Sequence, residues 1–153
     1  MTRKVRLAII DDYDDISNLM GQVHNLHVDL RADLYKKTEE VFSLEQIKSF
    51  INNNQCYVVE YNDIVVGMML IFEKHLGDQS HQNRYIIFID TIVVDQRYRR
   101  LGIGKQLINY AIELKEKHHY DSIELEVNAL NEDAIKMYQQ MGFTNKSITM
   151  ELN

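Results

Sequence analysis

The segment from Arg99 to Gly104, which reads Arg-Arg-Leu-Gly-Ile-Gly, constrains the fold of this chain more than any other. It follows the apolar run from Tyr85 to Val94 and opens an amphipathic segment that reaches about His118. A strand, a glycine-containing turn and a helix start therefore follow one another. The free N–H groups and the dipole of a helix's first turn favour an anion, and glycine lets that anion approach the backbone closely. The pattern predicts a cradle for a pyrophosphate group.

Two familiar phosphate-binding motifs fit this spacing poorly. A P-loop requires a hydroxyl residue after its Gly-Lys pair, but Gln106 follows Gly104 and Lys105. A dinucleotide-binding fingerprint requires a third glycine three residues after the second, where this chain has Leu107. Glu124 follows Gly104 by about 20 residues, which is near the sequence separation expected for the acidic residue that contacts the ribose. The motif lies later in the chain than such a fingerprint does. The spacing therefore rejects the P-loop and disfavours the dinucleotide fingerprint.

A third pattern, Gln/Arg-x-x-Gly-x-Gly/Ala, is met by Arg99, Gly102 and Gly104. A second group of residues follows in the expected order: Leu125 to Asn128, then Asn131, Ala134, Ile135, Tyr138 and Gly142-Phe143. Together these signatures resemble those of the GCN5-related N-acetyltransferase (GNAT) superfamily. The first strand and the acidic segment after it are also similar to that family, so the resemblance spans almost the whole chain and is weakest between His24 and Asn54.

The bulk composition limits the classes of protein to consider. With 153 residues, 45% hydrophobic and 26% charged, the chain is expected to form one domain, residues 1–153. No stretch approaches the roughly 20 uncharged apolar residues of a membrane span, and the N-terminus leads into an alternating strand, so we expect a cytoplasmic protein without a membrane partner. The formal net charge of −6 opposes nucleic-acid binding.

The cysteine and histidine residues of the sequence argue against a reactive thiol and against a zinc site. The single cysteine, Cys56, opens an apolar run and is expected to be buried rather than reactive. The six histidines lack the convergent spacing of a zinc site, so no metal is expected.

Apolar alternation and short apolar runs predict strands at about Arg3–Ile10, Gln55–Tyr61, Ile64–Lys74, Arg84–Asp95, Asp121–Asn128 and Asn145–Leu152. Helical spacing predicts helices at about Tyr13–Gly21, His24–Lys37, Leu44–Asn53, Arg100–His118 and Asn131–Met141. The last helix has Asn131 as an N-cap and Gly142 at a Schellman ending. This alternation favours an α/β sandwich around a mixed sheet. The resemblance implies a GNAT-like three-layer α/β/α sandwich whose mostly antiparallel sheet splays apart at an acyl-CoA site.

The resemblance further implies acetyl-CoA as cosubstrate and an amine acceptor as the second partner. The pantetheine arm would pair with a strand edge at Ile92, Val93 and Val94, and a main-chain N–H near Val94 would polarise the thioester carbonyl. The main chain of Arg99, Arg100, Leu101, Gly102, Ile103, Gly104 and Lys105 would hold the pyrophosphate. Asn131 and Ala134, on the next helix, would also contact the coenzyme.

Acetyl transfer needs a proton donor for the departing thiolate and a group that removes a proton from the amine. The resemblance makes Tyr138 the candidate acid; the alternative is a tyrosine that only packs in the core. Asp90 is the candidate base, because it interrupts an apolar strand where a carboxylate is costly to bury unless paired, hydrated or used. The alternatives are a carboxylate that only bonds the main chain at a strand bulge, and an ordered water as the base.

The acceptor site is expected in the poorly matched region. On a helix from His24 to Lys37, Arg31 and Tyr35 share a face with His24, and His27 lies on the neighbouring stripe. The resemblance therefore implies an N-acetyltransferase that moves an acetyl group from acetyl-CoA to a primary amine by direct attack in a ternary complex. The amine is that of a small molecule, a polyamine, a peptide or a protein. The alternative is a non-catalytic acyl-CoA-binding sensor or interaction module. A homodimer is expected from similar proteins.

Overall fold

A computed structural model describes residues 2–153 and places five strands in one sheet. The strands are β1 (Arg3–Leu7), β2 (Cys56–Tyr61), β3 (Ile64–Leu76), β4 (Arg84–Val94) and β5 (Ser122–Leu125). The helices are α1 (Tyr13–Leu30), α2 (Leu44–Asn52), α3 (Ile103–Lys117) and α4 (Glu132–Gln140), with short 3-10 turns at Ile10–Asp12 and Gln96–Tyr98.

The sheet order follows the chain, from β1 at one edge to β5 at the other. Neighbouring strands from β1 to β4 are antiparallel, because short connections return the chain each time. The connection from β4 to β5 contains α3, and this pair is parallel, as a helical crossover allows. The mixed, mostly antiparallel sheet expected from the resemblance is therefore present.

Two hydrophobic cores lie between the sheet and the helices that cover its two faces. Buried residues of α1 and α2, such as Leu19 and Ile47, pack with Val58 and Met68 on one face. Buried residues of α3 and α4 pack on the other face; they are Ile103, Leu107, Ile108, Ala111 and Tyr138. This arrangement is the predicted three-layer α/β/α sandwich.

The structure corrects the two helices predicted at Tyr13–Gly21 and His24–Lys37. One continuous helix, α1, runs through Gly21, because a glycine inside a helix costs only about 1 kcal/mol and the buried side chains on both sides of it offset that cost. The helix then ends at Leu30, since Arg31 leaves helical geometry and its guanidinium bonds the carboxylate of Asp33.

The structure also corrects the strand predicted at Asn145–Leu152. Residues 144–153, which we call the C-terminal arm, are assigned to no strand, and no main-chain hydrogen bond of the arm is found among the described residues. Ile148, Met150 and Leu152 are 69%, 86% and 99% exposed. Their alternation has the period of a strand, but within one copy of residues 2–153 nothing covers the apolar face that such a strand must bury.

Candidate active site

The parallel pair β4 and β5 separates part of the way along its length. Its pairing ends at Ile89 opposite Leu125, whereas β4 continues to Val94 alongside β3 only. The N–H of Asp95 donates to the carbonyl of Val66 at 2.8 Å. Because main-chain groups alternate in direction along an antiparallel strand, the N–H groups of Ile92 and Val94 then point away from β3. A short open edge of β4 results, and a second extended molecule could pair with it.

Asp90 lies at a β-bulge in this same stretch. Leu70 pairs with Thr91 and Ile71 pairs with Ile89, so Asp90 is the extra residue on β4. Its carboxylate is exposed and accepts a hydrogen bond from Thr91 Oγ1 at 2.9 Å. The burial cost inferred from the sequence therefore does not apply, but bulges commonly re-aim a side chain beside an active site.

The turn between β4 and α3 has the backbone geometry of an anion cradle. Arg100 and Gly102 have φ angles of 65° and 80°, both in the left-handed region, and α3 begins at Ile103. No acceptor within residues 2–153 faces the N–H groups of residues 102–105, and the first N–H paired in this helix is that of Gln106. Four consecutive donors at a helix start are therefore available to an anion.

Positive charge surrounds this cradle. Across residues 2–153, no carboxylate forms an ion pair with Arg99, Arg100 or Lys105. Arg97 differs, because its guanidinium lies 2.9 Å from the buried carboxylate of Asp95 and is engaged there. The Arg97 guanidinium lowers the pKa of Asp95, so that carboxylate is ionised at neutral pH. Three cations remain for a bound anion.

The two glycines of the cradle serve different purposes. A Cβ atom at Gly104 would lie 3.2 Å from Met137 Sδ and 3.9 Å from Val94 Cγ2, so this glycine lets α3 pack against α4 and the end of β4. At Gly102, the one atom of residues 2–153 within 4 Å of such a Cβ, apart from the neighbouring residues in the chain, is Arg3 Nη2, at 4.0 Å. Gly102 is therefore required for its left-handed backbone and for access from outside.

Tyr138 lies on α4 in the core that α3 and α4 share with the sheet. The residue is only 8% exposed, and its ring centroid lies 5.7 Å from that of Phe143. Burial raises the pKa of Tyr138 to about 12, so the hydroxyl is protonated at neutral pH. Within residues 2–153 the hydroxyl forms no hydrogen bond with a protein group, so its proton is not committed to another residue of the chain. Such a group can donate a proton.

The helix that carries Tyr138 begins and ends as predicted. Asn131 is the N-cap of α4, and its side-chain oxygen accepts from the N–H of Ala134 at 3.4 Å. Gly142, with φ 99°, and Phe143 form the Schellman ending by donating to the carbonyls of Gln139 and Tyr138.

The structure brings together three of the four predicted acceptor residues, although not on one helix face. His24 and His27 lie on α1, and the Tyr35 ring lies 6.2 Å from the ring centroid of His24 and 5.1 Å from that of His27. Tyr35 reaches them because its N–H donates to the carbonyl of Arg31 in a turn after the helix. Burial, with a smaller contribution from His24, lowers the pKa of His27, so this imidazole is neutral at pH 7. Arg31 itself is paired with Asp33 and Glu151.

Other sequence expectations can be placed on the structure. Cys56 is buried, and burial raises the pKa of its thiol to about 12, which makes it a poor nucleophile. In the described part of the chain, no cluster of three or more His, Cys, Asp or Glu side chains could hold a metal ion. No helix in residues 2–153 is both long enough and apolar enough to cross a bilayer.

Sequence reasoning missed three residues that shape the site. A Cβ atom at Gly67 would lie 3.1 Å from Ile103 Cγ2, so this glycine lets the start of α3 pack closely on the sheet. Met137 packs against Gly104, and Arg3 donates a hydrogen bond to the carbonyl of Leu101 in the cradle. A glycine inside a strand of apolar residues often indicates that another element approaches closely, so the sequence contains a signal for Gly67. The contact of Arg3 joins residues 98 positions apart and has no local signal.

Known proteins with sequences similar to this chain include N-alpha-acetyltransferases. N-alpha-acetyltransferase 50 of Danio rerio is 38% identical over 84 residues, which are 54% of this chain and 47% of that protein. N-alpha-acetyltransferase 30 of Dictyostelium discoideum is 31% identical over 118 residues, which are 76% of this chain and 61% of that protein. The chain thus spans between about half and three fifths of the length of these relatives.

Solved structures and a family profile complete the comparison. The BH1408 protein of Bacillus halodurans, solved as a tetramutant, superposes with a TM-score of 0.87 and 26% identity, over 98% of this chain and 99% of that one. An aminoglycoside N-acetyltransferase solved with CoA has the same fold, with a TM-score of 0.75 and 14% identity, over 99% of this chain and 94% of that one. The profile of the family described as "Acetyltransferase (GNAT) family" matches residues 22–143, well over half of the sequence. The chain therefore belongs to the GNAT family of acetyltransferases.

Proposed function

We propose that this chain is an acyl-CoA N-acyltransferase domain that transfers an acetyl group from acetyl-CoA to a primary amine. The observation that carries the proposal is the open edge of β4 that leads into four free N–H groups at the start of α3. The two amides of a pantetheine arm suit the main-chain groups of Ile92 and Val94, much as an added strand would. A pyrophosphate suits the N–H groups of residues 102–105.

Acetyl-CoA supplies an acyl group activated as a thioester, and the residues of the site supply the rest of the chemistry by direct transfer in a ternary complex. The amine nitrogen bonds to the carbonyl carbon as the carbon–sulfur bond breaks. The N–H of Val94 polarises the carbonyl oxygen. Tyr138 donates its phenolic proton to the departing thiolate and regains a proton from solvent, while Asp90 or a water takes the proton that the attacking amine nitrogen loses.

We assign the acceptor site to the group formed by His24, His27, Arg31 and Tyr35. One edge-on and one tilted aromatic contact make a defined wall there, and the neutral imidazole of His27 can accept a hydrogen bond from an amine. Because the relatives described above are N-alpha-acetyltransferases, the α-amine of a peptide is the first acceptor to test. We place the activity in the cytoplasm, where acetyl-CoA and such amines meet.

The proposal is tested by following free-thiol release from acetyl-CoA with a panel of amines. The panel contains peptides with a free N-terminus, a peptide with a free lysine, a polyamine and an aminoglycoside. We expect saturable release with at least one amine, and the same rate in the presence of EDTA, as the absence of a zinc-like spacing predicts. CoA binding by calorimetry without turnover on any amine would instead favour the non-catalytic sensor. The absence of CoA binding would reject both functions.

We also propose that the C-terminal arm joins two copies of the chain. The arm exposes an alternating apolar row, and β5 is an edge strand that pairs with β4 and with no other strand of residues 2–153. Lys146 Nζ lies 2.7 Å from Glu124 Oε2, which fixes the root of the arm beside β5. A segment with a strand-like pattern next to an unpaired sheet edge invites pairing with a second copy. A two-fold exchange of arms would cover the apolar row of each arm and the β5 edge of each copy.

The double variant Ile148→Lys/Met150→Lys is therefore expected to convert a dimer into a monomer. The added charges oppose burial of the arm, whereas both side chains are exposed in one copy, so the fold is retained. Light scattering after size exclusion measures the mass. A second variant, Leu130→Lys, adds charge at another exposed apolar site and should stay dimeric. A wild-type protein of monomer mass would contradict the proposal.

A further inference from the structure

The cradle turn needs support from outside itself. Arg100 and Gly102 both adopt left-handed φ angles, and such backbone persists only where the surroundings determine it. The N–H groups of residues 102–105 cannot supply that support, because they make no bond within residues 2–153. Whatever fixes the turn must therefore hold its carbonyl groups or its flanks.

Strand β1 provides this support through one residue. Arg3 Nη1 donates a hydrogen bond to the carbonyl of Leu101, inside the turn. In the opposite direction, Gln106 Nε2 in the first turn of α3 donates to the main-chain carbonyl of Arg3 at 3.2 Å. The two bonds join the edge strand β1 to the turn at Leu101 and to the first turn of α3 at Gln106.

Peptide geometry links the first of these bonds to anion binding. The carbonyl of Leu101 and the N–H of Gly102 belong to one planar trans peptide, so they point in opposite directions. When the Arg3 guanidinium holds that carbonyl, the Gly102 N–H is directed away from β1. This N–H is the first of the four free donors at the start of α3.

We infer that Arg3 is a positioning residue for coenzyme binding: by holding the Leu101 carbonyl, it orients the Gly102 N–H and keeps the cradle preformed. The inference rests on the proposed function, since it assigns the cradle to the pyrophosphate of CoA. Arginine suits the role because its planar group donates in a fixed direction, whereas lysine supplies a mobile point charge. Its positive charge also adds to the field of the cradle.

The test is calorimetric titration of the full chain with CoA. Arg3→Met should weaken CoA binding about tenfold, the effect expected when one charge-assisted hydrogen bond is lost. Arg3→Lys should recover only part of that loss, because charge returns without the fixed direction. In steady state, Arg3→Met should raise KM for acetyl-CoA about tenfold and leave kcat at saturation unchanged, since the residue touches no reacting atom.

Lys4→Met is the matched control. It removes the same charge from the next residue, which is exposed and whose side chain alternates to the other face of β1. Among residues 2–153, Lys4 forms no ion pair with a carboxylate, and its side chain donates no hydrogen bond to a carbonyl of the cradle. We expect its CoA affinity to stay within about twofold of wild type, as for other exposed charges. If Lys4→Met weakened binding as much as Arg3→Met, general charge attraction would explain the effect and the positioning role would be wrong.

The remaining outcomes separate this inference from the proposed function. A wild-type protein that binds no CoA would reject the proposed function itself. A wild-type protein that binds CoA, together with a folded Arg3→Met variant of equal affinity, would reject only the role of Arg3. If Arg3→Met does not fold, Arg3→Lys decides the matter: an affinity and a KM equal to those of wild type would overturn the inference.

Discussion

Replacing Tyr138 with phenylalanine is expected to lower kcat for acetyl transfer by about a thousandfold, within the range known for general acids. The hydroxyl is the group removed, and the ring that packs near Phe143 stays in place. Without that donor the thiolate must leave unprotonated or take its proton from water. Affinity for CoA should remain within about twofold of wild type, because cradle and strand edge are unchanged.

The pH dependence of kcat offers a second measurement of the same role. A general acid works in its protonated form, so its contribution is lost as pH rises through its pKa. Burial raises the pKa of Tyr138 to about 12, so ionisation of this tyrosine should not lower kcat in the neutral and mildly alkaline range. Wild type should therefore show no alkaline decline due to Tyr138 below about pH 10, the ordinary tyrosine value.

Tyr57→Phe is the matched control for Tyr138→Phe. Tyr57 is 7% exposed, belongs to the same core, and also has a pKa raised mainly by burial. Its ring centroid lies 5.1 Å from that of Tyr110, and it has no role in the proposed reaction. We expect little change in kcat for Tyr57→Phe. An equal loss in both variants would point to core packing, and an unchanged rate in Tyr138→Phe would leave water as the acid.

The parts of the site that the sequence predicted well are those with local physical signals. The turn at Gly102 follows a long apolar strand and precedes a helical pattern, so strand, cradle and α3 could each be located. Asn131 and Gly142 mark the two ends of α4, because a polar N-cap and a left-handed glycine are chemical requirements of those positions.

The parts that the sequence predicted poorly depend on contacts between distant residues. Gly21 predicts a helix boundary, but packing on both sides of it continues α1 to Leu30. The arm around Met150 has a strand-like pattern, yet a strand forms only where another edge pairs with it. The bond from Arg3 to Leu101 follows from the sheet order and the position of α3, neither of which local periodicity contains.

The variant Gly102→Val should weaken CoA binding about a hundredfold by combining two effects. A non-glycine residue at φ 80° costs roughly 1–2 kcal/mol, which shifts the turn away from its binding conformation. The valine side chain would also stand where an anion must approach the backbone. The described part of the chain leaves room for it, since Arg3 Nη2, at 4.0 Å, is its one atom close to the new Cβ. Calorimetric titration with CoA measures the loss directly.

Gly142→Val provides the control, because it imposes the same backbone strain elsewhere. Gly142 has φ 99°, and beyond its chain neighbours no atom of residues 2–153 lies within 4 Å of a new Cβ. It lies past the end of α4 rather than in the cradle. Both variants should lose similar free energy of unfolding in urea, about 1–2 kcal/mol. Only Gly102→Val should lose CoA affinity, because only that glycine lies where the pyrophosphate is proposed to bind. Gly104 is a poorer probe, since a Cβ there would meet Met137 at 3.2 Å and would disturb packing as well. Equal CoA affinities for the two folded variants would mean that the anion does not approach this turn.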